Sequence, residues 1–377
     1  MMKKLFAILL ALGILVSAIG CASDEATANM SGDTATTDSA DTGEEIKVAV
    51  LLSATGELDD HAFTSAVWEA VEPYCQERNI PYTYYKPSEN TVEMQVAVCD
   101  AAVAAGAEFI VVISDQYKVA LLEMSETYPD VKFLGIECKP QNTDGEITIH
   151  DNVKTVTFAA EQSGFLAGYA SVKEGFKNLG IMGGKQVPGV IQYCYGFVAG
   201  AEAAAQEFDY DDVNLKYTYW GENSATPEHQ AQAAAWYQSG TELIFVVAGP
   251  GNSSVFAAAE QNDGIVVGCD SDQSYFSDTV ITSALKGVGE VTTMSLEEWN
   301  TDTFDGGEIH HMSAADGAVG LAMETAKFEH FTQEDYDSIY QKLAENKDGF
   351  ADSIPNDLNC ASPLDIPVSK LHFEFIQ

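Results

Sequence analysis

The sequence predicts an α/β protein of two lobes, each a mostly parallel sheet flanked by helices. Three observations carry that expectation. Short β-branched runs alternate with longer helical patterns, the alternation restarts midway along the chain, and the 377 residues exceed the roughly 150 typical of one domain.

The first 20 residues stand apart from that pattern. Lys3 and Lys4 precede an apolar stretch over 5–19, shorter than a membrane span and patterned as a secretory signal. Ala18-Ile19-Gly20 then leads into Cys21, which resembles the lipobox of bacterial lipoproteins, with Ala18 where leucine is usual. That resemblance implies cleavage before Cys21 and lipidation of its thiol; the alternative is an ordinary cleaved signal with Cys21 incidental. Residues 21–45 hold no aromatic side chain and almost no large apolar one. Such a segment cannot bury enough surface to offset its ordering entropy, so a flexible acidic tether is expected.

From residue 46 onward, the runs 46–52 (IKVAVLL), 109–113 (FIVVI), 131–136 (VKFLGI), 243–247 (LIFVV) and 265–268 (IVVG) read as strands buried on both faces. Segments 61–78, 92–105 and 117–128 read as the intervening helices. After residue 153 the alternation begins again, with a helix near 161–172, a strand at 179–182, a helix near 190–208 and a strand near 215–220. Beyond residue 287, helices near 288–299 and 333–343 are expected to return to the first lobe, and 371–375 to add a late strand. The expected division is 46–152 plus 287–350 in the N-terminal lobe and 153–286 plus 351–377 in the C-terminal lobe.

Composition narrows the function. Eighteen Lys+Arg against 58 Asp+Glu give a net charge of -40, a surface that repels phosphate backbones and anionic headgroups, so nucleic-acid binding and electrostatic membrane docking are excluded. Arg78 is the single arginine. Arginine is the preferred bidentate clamp for carboxylate and phosphate, so a small ligand is expected to be neutral or cationic. Cys75, Cys99, Cys138, Cys194, Cys269 and Cys360 show no CxxC spacing and read mainly as small buried hydrophobes. His310 and His311, adjacent in an extended run, point to opposite faces and do not share a metal. No metal or cofactor is expected.

In open α/β sheets ligands bind outside the carboxyl ends of the strands, and between lobes. Candidate positions there are Asp60 and Phe63 after the first strand, Glu137 after 131–136, Tyr193 behind the loop at 183–188, Gly249 in the loop 248–252, and Asp270 after 265–268. The bland readings are a helix N-cap for Asp59 or Asp60 and core packing for Phe63. Neither glycine-bearing loop has a P-loop or a full GxGxxG.

Six blocks in order carry a more specific signal: LDDHAF at 58–63, YPDVKF at 128–133, the F-x-A-x-x-x-x-FLAGY run at 158–169, GIMGG at 180–184, VP with GFVAG at 196–200, and GCDSDQ with ITSALK ending at Lys286. Together they resemble the basic membrane protein family of extracytoplasmic lipoproteins, which includes the purine nucleoside receptors of ABC transporters. The resemblance implies the type I periplasmic-binding-protein fold, with a cleft between lobes that closes on the ligand. It implies that Phe63 stacks on a nucleobase with Tyr193 lining the opposite side, and that Asp270 binds ribose hydroxyls with Lys286 beside it. Glu137 stands in place of a family aspartate, and Asp60 and Gly249 fall at loop positions lining the pocket. Ala54, Thr64-Ser65 and Ser224 depart from the family pattern, with Trp220 near enough to replace the aromatic missing at Ser224.

The resulting expectation is a monomeric, lipid-anchored solute receptor on the extracytoplasmic side of the cell membrane. It delivers a nucleoside-like small molecule, purine favoured, to an ABC permease and its ATPase subunit. The alternatives are a sugar or signalling-ligand receptor of the same fold and a nucleoside-cleaving hydrolase using paired carboxylates. No activated nucleophile is visible, so catalysis is not expected.

Overall fold

The computed structural model describes residues 45–60 and 62–376; the signal segment, Cys21 and nearly all of the tether lie outside them. The chain alternates strand and helix. It runs β1 (Val48–Leu51), α1 (Phe63–Arg78), β2 (Tyr82–Tyr85), α2 (Val92–Ala104), β3 (Phe109–Ile113), α3 (Lys118–Thr127), β4 (Lys132–Ile136) and β5 (Val153–Phe158), then α4 (Ala160–Glu174), β6 (Asn178–Gly183), α5 (Pro188–Glu207) and β7 (Asn214–Tyr219). There follow α6 (Pro227–Gln238), β8 (Leu243–Val247), α7 (Asn252–Asn262), β9 (Ile265–Asp270), β10 (Val280–Lys286), α8 (Val288–Asn300), β11 (Ile309–Met312), β12 (Val319–Leu321), α9 (Gln333–Glu345) and β13 (His372–Ile376).

Two sheets result, with strand orders β11-β5-β4-β3-β1-β2 and β12-β10-β9-β8-β6-β7-β13. Every pairing is parallel except β10 with β12. The order reverses between β1 and β3 in one sheet and between β6 and β8 in the other, so each lobe offers a switch-point crevice at its strands' carboxyl ends. β1, β3 and β8 are buried along their whole length, which is why they read as unbroken apolar runs.

The lobe boundaries differ from the sequence expectation in two places. Val153–Phe158 is expected in the second lobe, but β5 pairs with β4 from Phe133 and Val153 onward, so the chain first crosses after Phe158. The stretch 319–345 is expected in the first lobe, but β12 pairs with β10 and α9 packs on α4, with Ile339 and Leu343 as its buried residues. α8 does pack on α1 of the first lobe, and β13 joins β7. The three crossovers meet at the start of α4. Ser163 Oγ donates to Leu285 O at 2.7 Å and accepts from Gly320 N at 3.0 Å, while Gln162 Oε1 accepts from Ala314 N at 2.9 Å.

Some of the acidic excess is structural rather than solvating. Glu242 accepts from the backbone N–H groups of Lys177 and Asn178, and Glu174 from those of Glu329, His330 and Phe331. On α5, buried Glu202 accepts from Ser369 N at 2.8 Å, Lys370 N at 3.1 Å and Leu371 N at 3.0 Å, pinning the approach to β13. Burial pushes this carboxyl up, but the hydroxyl and N–H donors outweigh burial and hold it below its ordinary value. A depressed carboxyl contributes stability that is present above its unfolded value and lost as pH falls through its folded one. Glu202→Ala is therefore expected to lose about 3 kcal/mol at neutral pH, and less in acid, measured by urea denaturation at both pH values.

Cys75, Cys99, Cys138, Cys194 and Cys269 are buried free thiols, and Cys360 is half-buried. Among the described residues no helix is long and apolar enough to cross a membrane.

Candidate functional site

The carboxyl ends of β1, β3, β4, β8 and β9 open onto one cleft between the lobes, and Asp60, Phe63, Glu137, Tyr193, Gly249, Asp270 and Lys286 all line it. Backbone conformation there is unusual. Ser114, Glu137 and Asp270 have φ of 94°, 52° and 67°, and Gly249 has φ 52°. Left-handed backbone at a non-glycine residue costs about 1–3 kcal/mol and persists where the surroundings enforce it. Each of these turns follows a strand or ends one and faces the cleft.

Asp60 acts as a cap. Its Oδ1 accepts from Ala62 N at 3.0 Å and Ser65 N at 2.9 Å, and its Oδ2 from Thr64 N at 3.0 Å. The carboxylate thus satisfies three of the donors left open by the first turn of α1 and opposes the helix dipole. That cap fixes Phe63, the first residue of α1, whose ring is half-buried at the cleft wall.

Lys286 is the electrostatic centre. Its Nζ lies 2.9 Å from Glu137 Oε1 and 3.9 Å from Asp270 Oδ1, and over the rings of Tyr193 and Phe63 at 4.9 Å and 5.5 Å. Burial pulls the ammonium's pKa down, but the Glu137 and Asp270 carboxylates more than offset this and leave it above the ordinary lysine value. Burial pushes Asp270 up, an effect that Lys286 only partly counters. Tyr193 is 1% exposed. Its hydroxyl donates to Ala284 O at 3.1 Å and its ring packs edge-on against Phe245 at 6.1 Å. It therefore supplies the cleft floor, with the ammonium rather than open space over its face.

Trp220 does not replace the missing aromatic. It stacks on His229 of α6 at 4.0 Å and 5°, and its Nε1 donates to Gln232 Oε1 at 2.8 Å, so the indole is committed to α6 packing. Asn223 lines the cleft instead, its Oδ1 accepting from Lys185 N at 2.8 Å. Ser114, Asp115 and Gln116 also line it. The strand-end rule that selected Glu137 points equally to these three, since they follow β3; Asn223 sits in a loop with no sequence signal. Among the described residues no group of three His, Cys, Asp or Glu is arranged to hold a metal ion.

The arrangement can hold a planar group against Phe63 and accept hydrogen bonds through Asp270 and Glu137. It offers an anion one ammonium that already has partners.

Comparisons with known proteins agree in family and fold. The model of the Bmp family, described as ABC transporter substrate-binding protein PnrA-like, matches residues 47–355. The ABC transporter nucleoside-binding protein BmpA of Lactococcus lactis subsp. cremoris is 27% identical, over 84% of this chain and 92% of that one. Basic membrane protein B of Borrelia garinii subsp. bavariensis is 30% identical, over 76% and 83%. A crystal structure of an ABC transporter solute-binding protein from Aeropyrum pernix K1 aligns with TM-score 0.66 at 20% identity, over 80% of this chain and 86% of that one. A solute-binding protein from Conexibacter woesei aligns at 0.64 and 20%, over 82% and 99%. At such identities these two speak for the two-lobed fold.

Proposed function

The chain belongs to the Bmp family of PnrA-like ABC transporter substrate-binding proteins, and from that premise we propose that its cleft captures a nucleoside, a purine one in preference, for delivery to the permease. Membership makes the protein a binding component of an ABC transporter rather than an enzyme. Proteins of this class work on the extracytoplasmic side, with a permease and ATPase as partners. The finer reading adds that it does so as a monomer, held to the membrane through lipid on Cys21.

The observation that carries the ligand assignment is the pairing of an aromatic wall with buried acceptors. Phe63 presents a ring suited to offset stacking on a base. Asp270, 9% exposed at the end of β9, suits a cis-diol, because a carboxylate accepts both hydroxyls in charge-assisted bonds. The nucleoside-binding role printed for the Lactococcus lactis relative points the same way.

Purified protein should melt at higher temperature with inosine, guanosine or adenosine, as expected for a ligand that binds only the folded state. Phe63→Ala should weaken nucleoside binding about tenfold or more, because stacking on one aromatic is worth about 1–3 kcal/mol per base. A panel in which free sugars raise the melting temperature and no nucleoside does would establish the sugar-receptor alternative instead. Mass spectrometry of membrane-extracted protein should find the mature chain beginning at an acylated Cys21.

A further inference from the structure

Lys286 and Glu137 come from different lobes. Lys286 ends β10 in the second sheet, directly before the crossover into α8, and Glu137 follows β4 in the first. Their 2.9 Å contact spans the cleft, and the two side chains are only 4% and 15% exposed. Little water competes for such a pair, so its attraction is larger than that of a surface ion pair, and loss of either partner leaves a buried charge.

The other cleft charges have partners within their own lobe. Asp60 is held by three N–H groups of α1, and Asp115 lies 3.0 Å from Lys118. Lys286 is the one Lys or Arg among the described residues lining the cleft. Asp270, 3.9 Å from that ammonium, is left as the less fully compensated carboxylate.

We infer that Glu137 sets the charge of the ligand, by holding the Lys286 ammonium in an interlobe bridge that an anionic ligand can engage only by breaking it and giving up closure of the cleft. The inference rests on the nucleoside reading above and deepens it. A phosphate drawing Lys286 toward itself strands the Glu137 carboxylate in a water-poor site beside a second negative charge, and the lobes lose their direct ionic contact. A neutral ligand leaves the bridge intact and hydrogen-bonds to Asp270. Side-chain length matters, because an aspartate on the same backbone is one methylene, roughly 1.5 Å, short of the contact.

The test compares wild type, Glu137→Gln and Glu137→Asp in two measurements: calorimetric titration with inosine and with inosine 5′-monophosphate, and interlobe distances in the ligand-free protein by pulsed electron resonance between labels on α3 and α7. Wild type should prefer the nucleoside by at least about a hundredfold. Glu137→Gln should narrow that ratio by about tenfold or more, chiefly through tighter monophosphate binding, and shift the ligand-free distances outward. Glu137→Asp keeps the charge but withdraws it, and should shift the distances as Gln does. An unchanged ratio in Glu137→Gln, or identical distances in the three proteins, overturns the inference. If wild type binds no nucleoside, the nucleoside reading fails instead. The bridge is then judged by the distances and by inorganic phosphate, which should bind Glu137→Gln more tightly than wild type and overturns the inference if it does not.

Discussion

Gly200→Ala is expected to lower folding stability by about 3 kcal/mol or more, although alanine is the better helix former. The reason is backbone contact between α4 and α5. A Cβ at Gly200 would stand 1.9 Å from Phe165 O, and one at Gly196 2.0 Å from Glu161 O; reciprocally, Gly164 and Gly168 of α4 face Tyr193 O at 2.1 Å and Phe197 O at 2.0 Å. Each helix places the two glycines of this contact four residues apart, and that spacing puts them on one face.

A carbonyl oxygen in the middle of a helix cannot swing aside as a side chain can, so the helices must separate. That movement strains a region in which Ala160 to Val172 of α4 are all buried and Phe197 stacks on Phe245 at 4.9 Å. Relief of the glycine's own helix penalty returns about 0.5–1 kcal/mol, less than overpacking of a tight interior takes away. Gly289 of α8 is the control, because its Cβ would meet Ala66 O at an ordinary 3.4 Å. Gly289→Ala should be neutral or slightly stabilising. Urea midpoints decide the matter, and a Gly200→Ala midpoint equal to wild type would mean that these helices are not in backbone contact.

The same glycines show what was legible in the sequence. GFVAG and FLAGY were visible as motifs, yet nothing in either says that they face one another; only the tertiary crossing gives the spacing its meaning. β3 and β8 could be read to the residue because burial on both faces leaves an unbroken apolar run. β5 could not, because Lys154 and two threonines interrupt its pattern, and Lys154 is buried only by virtue of Glu298 on α8, 2.6 Å away. β2, sequence YTYY, is an edge strand in which Tyr82 and Tyr84 are only half-buried, and β12 has three residues.

Which sheet the late strands join depends on pairing with distant partners, such as Lys286 with Val319 and His372 with Asn214, a non-local choice that local patterning does not record. In the site, the strand-end rule and the family resemblance together located the cleft. The N-cap reading of Asp60 holds at α1, but the sequence did not reveal that Tyr193 lies beneath an ammonium or that Trp220 turns away to α6, since each depends on which neighbour wins a side chain.

Removing the ammonium should have the largest effect at the site. Lys286→Met keeps most of the buried stem volume but leaves Glu137 and Asp270 facing each other's charge without a cation. Deleting one partner of a buried pair costs about 3–5 kcal/mol, against ~0–1 kcal/mol for an exposed pair, and Lys286 is 4% exposed at its side chain. In wild type the ammonium's pKa stands above the ordinary lysine value. Its contribution is therefore complete below that value and lost only as pH rises through the raised one, well above neutrality.

The variant behaves differently. Burial already pushes Asp270 up with Lys286 present, and loss of the ammonium removes the nearest charge that opposes that rise. A carboxyl raised in the folded state is penalised as pH rises through its folded value and is relieved in acid. The stability gap between wild type and Lys286→Met should accordingly be about 3 kcal/mol or more at pH 8 and narrower at pH 5, as the raised Asp270 carboxyl of the variant takes up a proton and sheds its unpaired charge. A gap of the same size at both pH values, read from urea midpoints, would assign the loss to packing of the lysine stem and remove Lys286 from its place as the charge on which the cleft is organised.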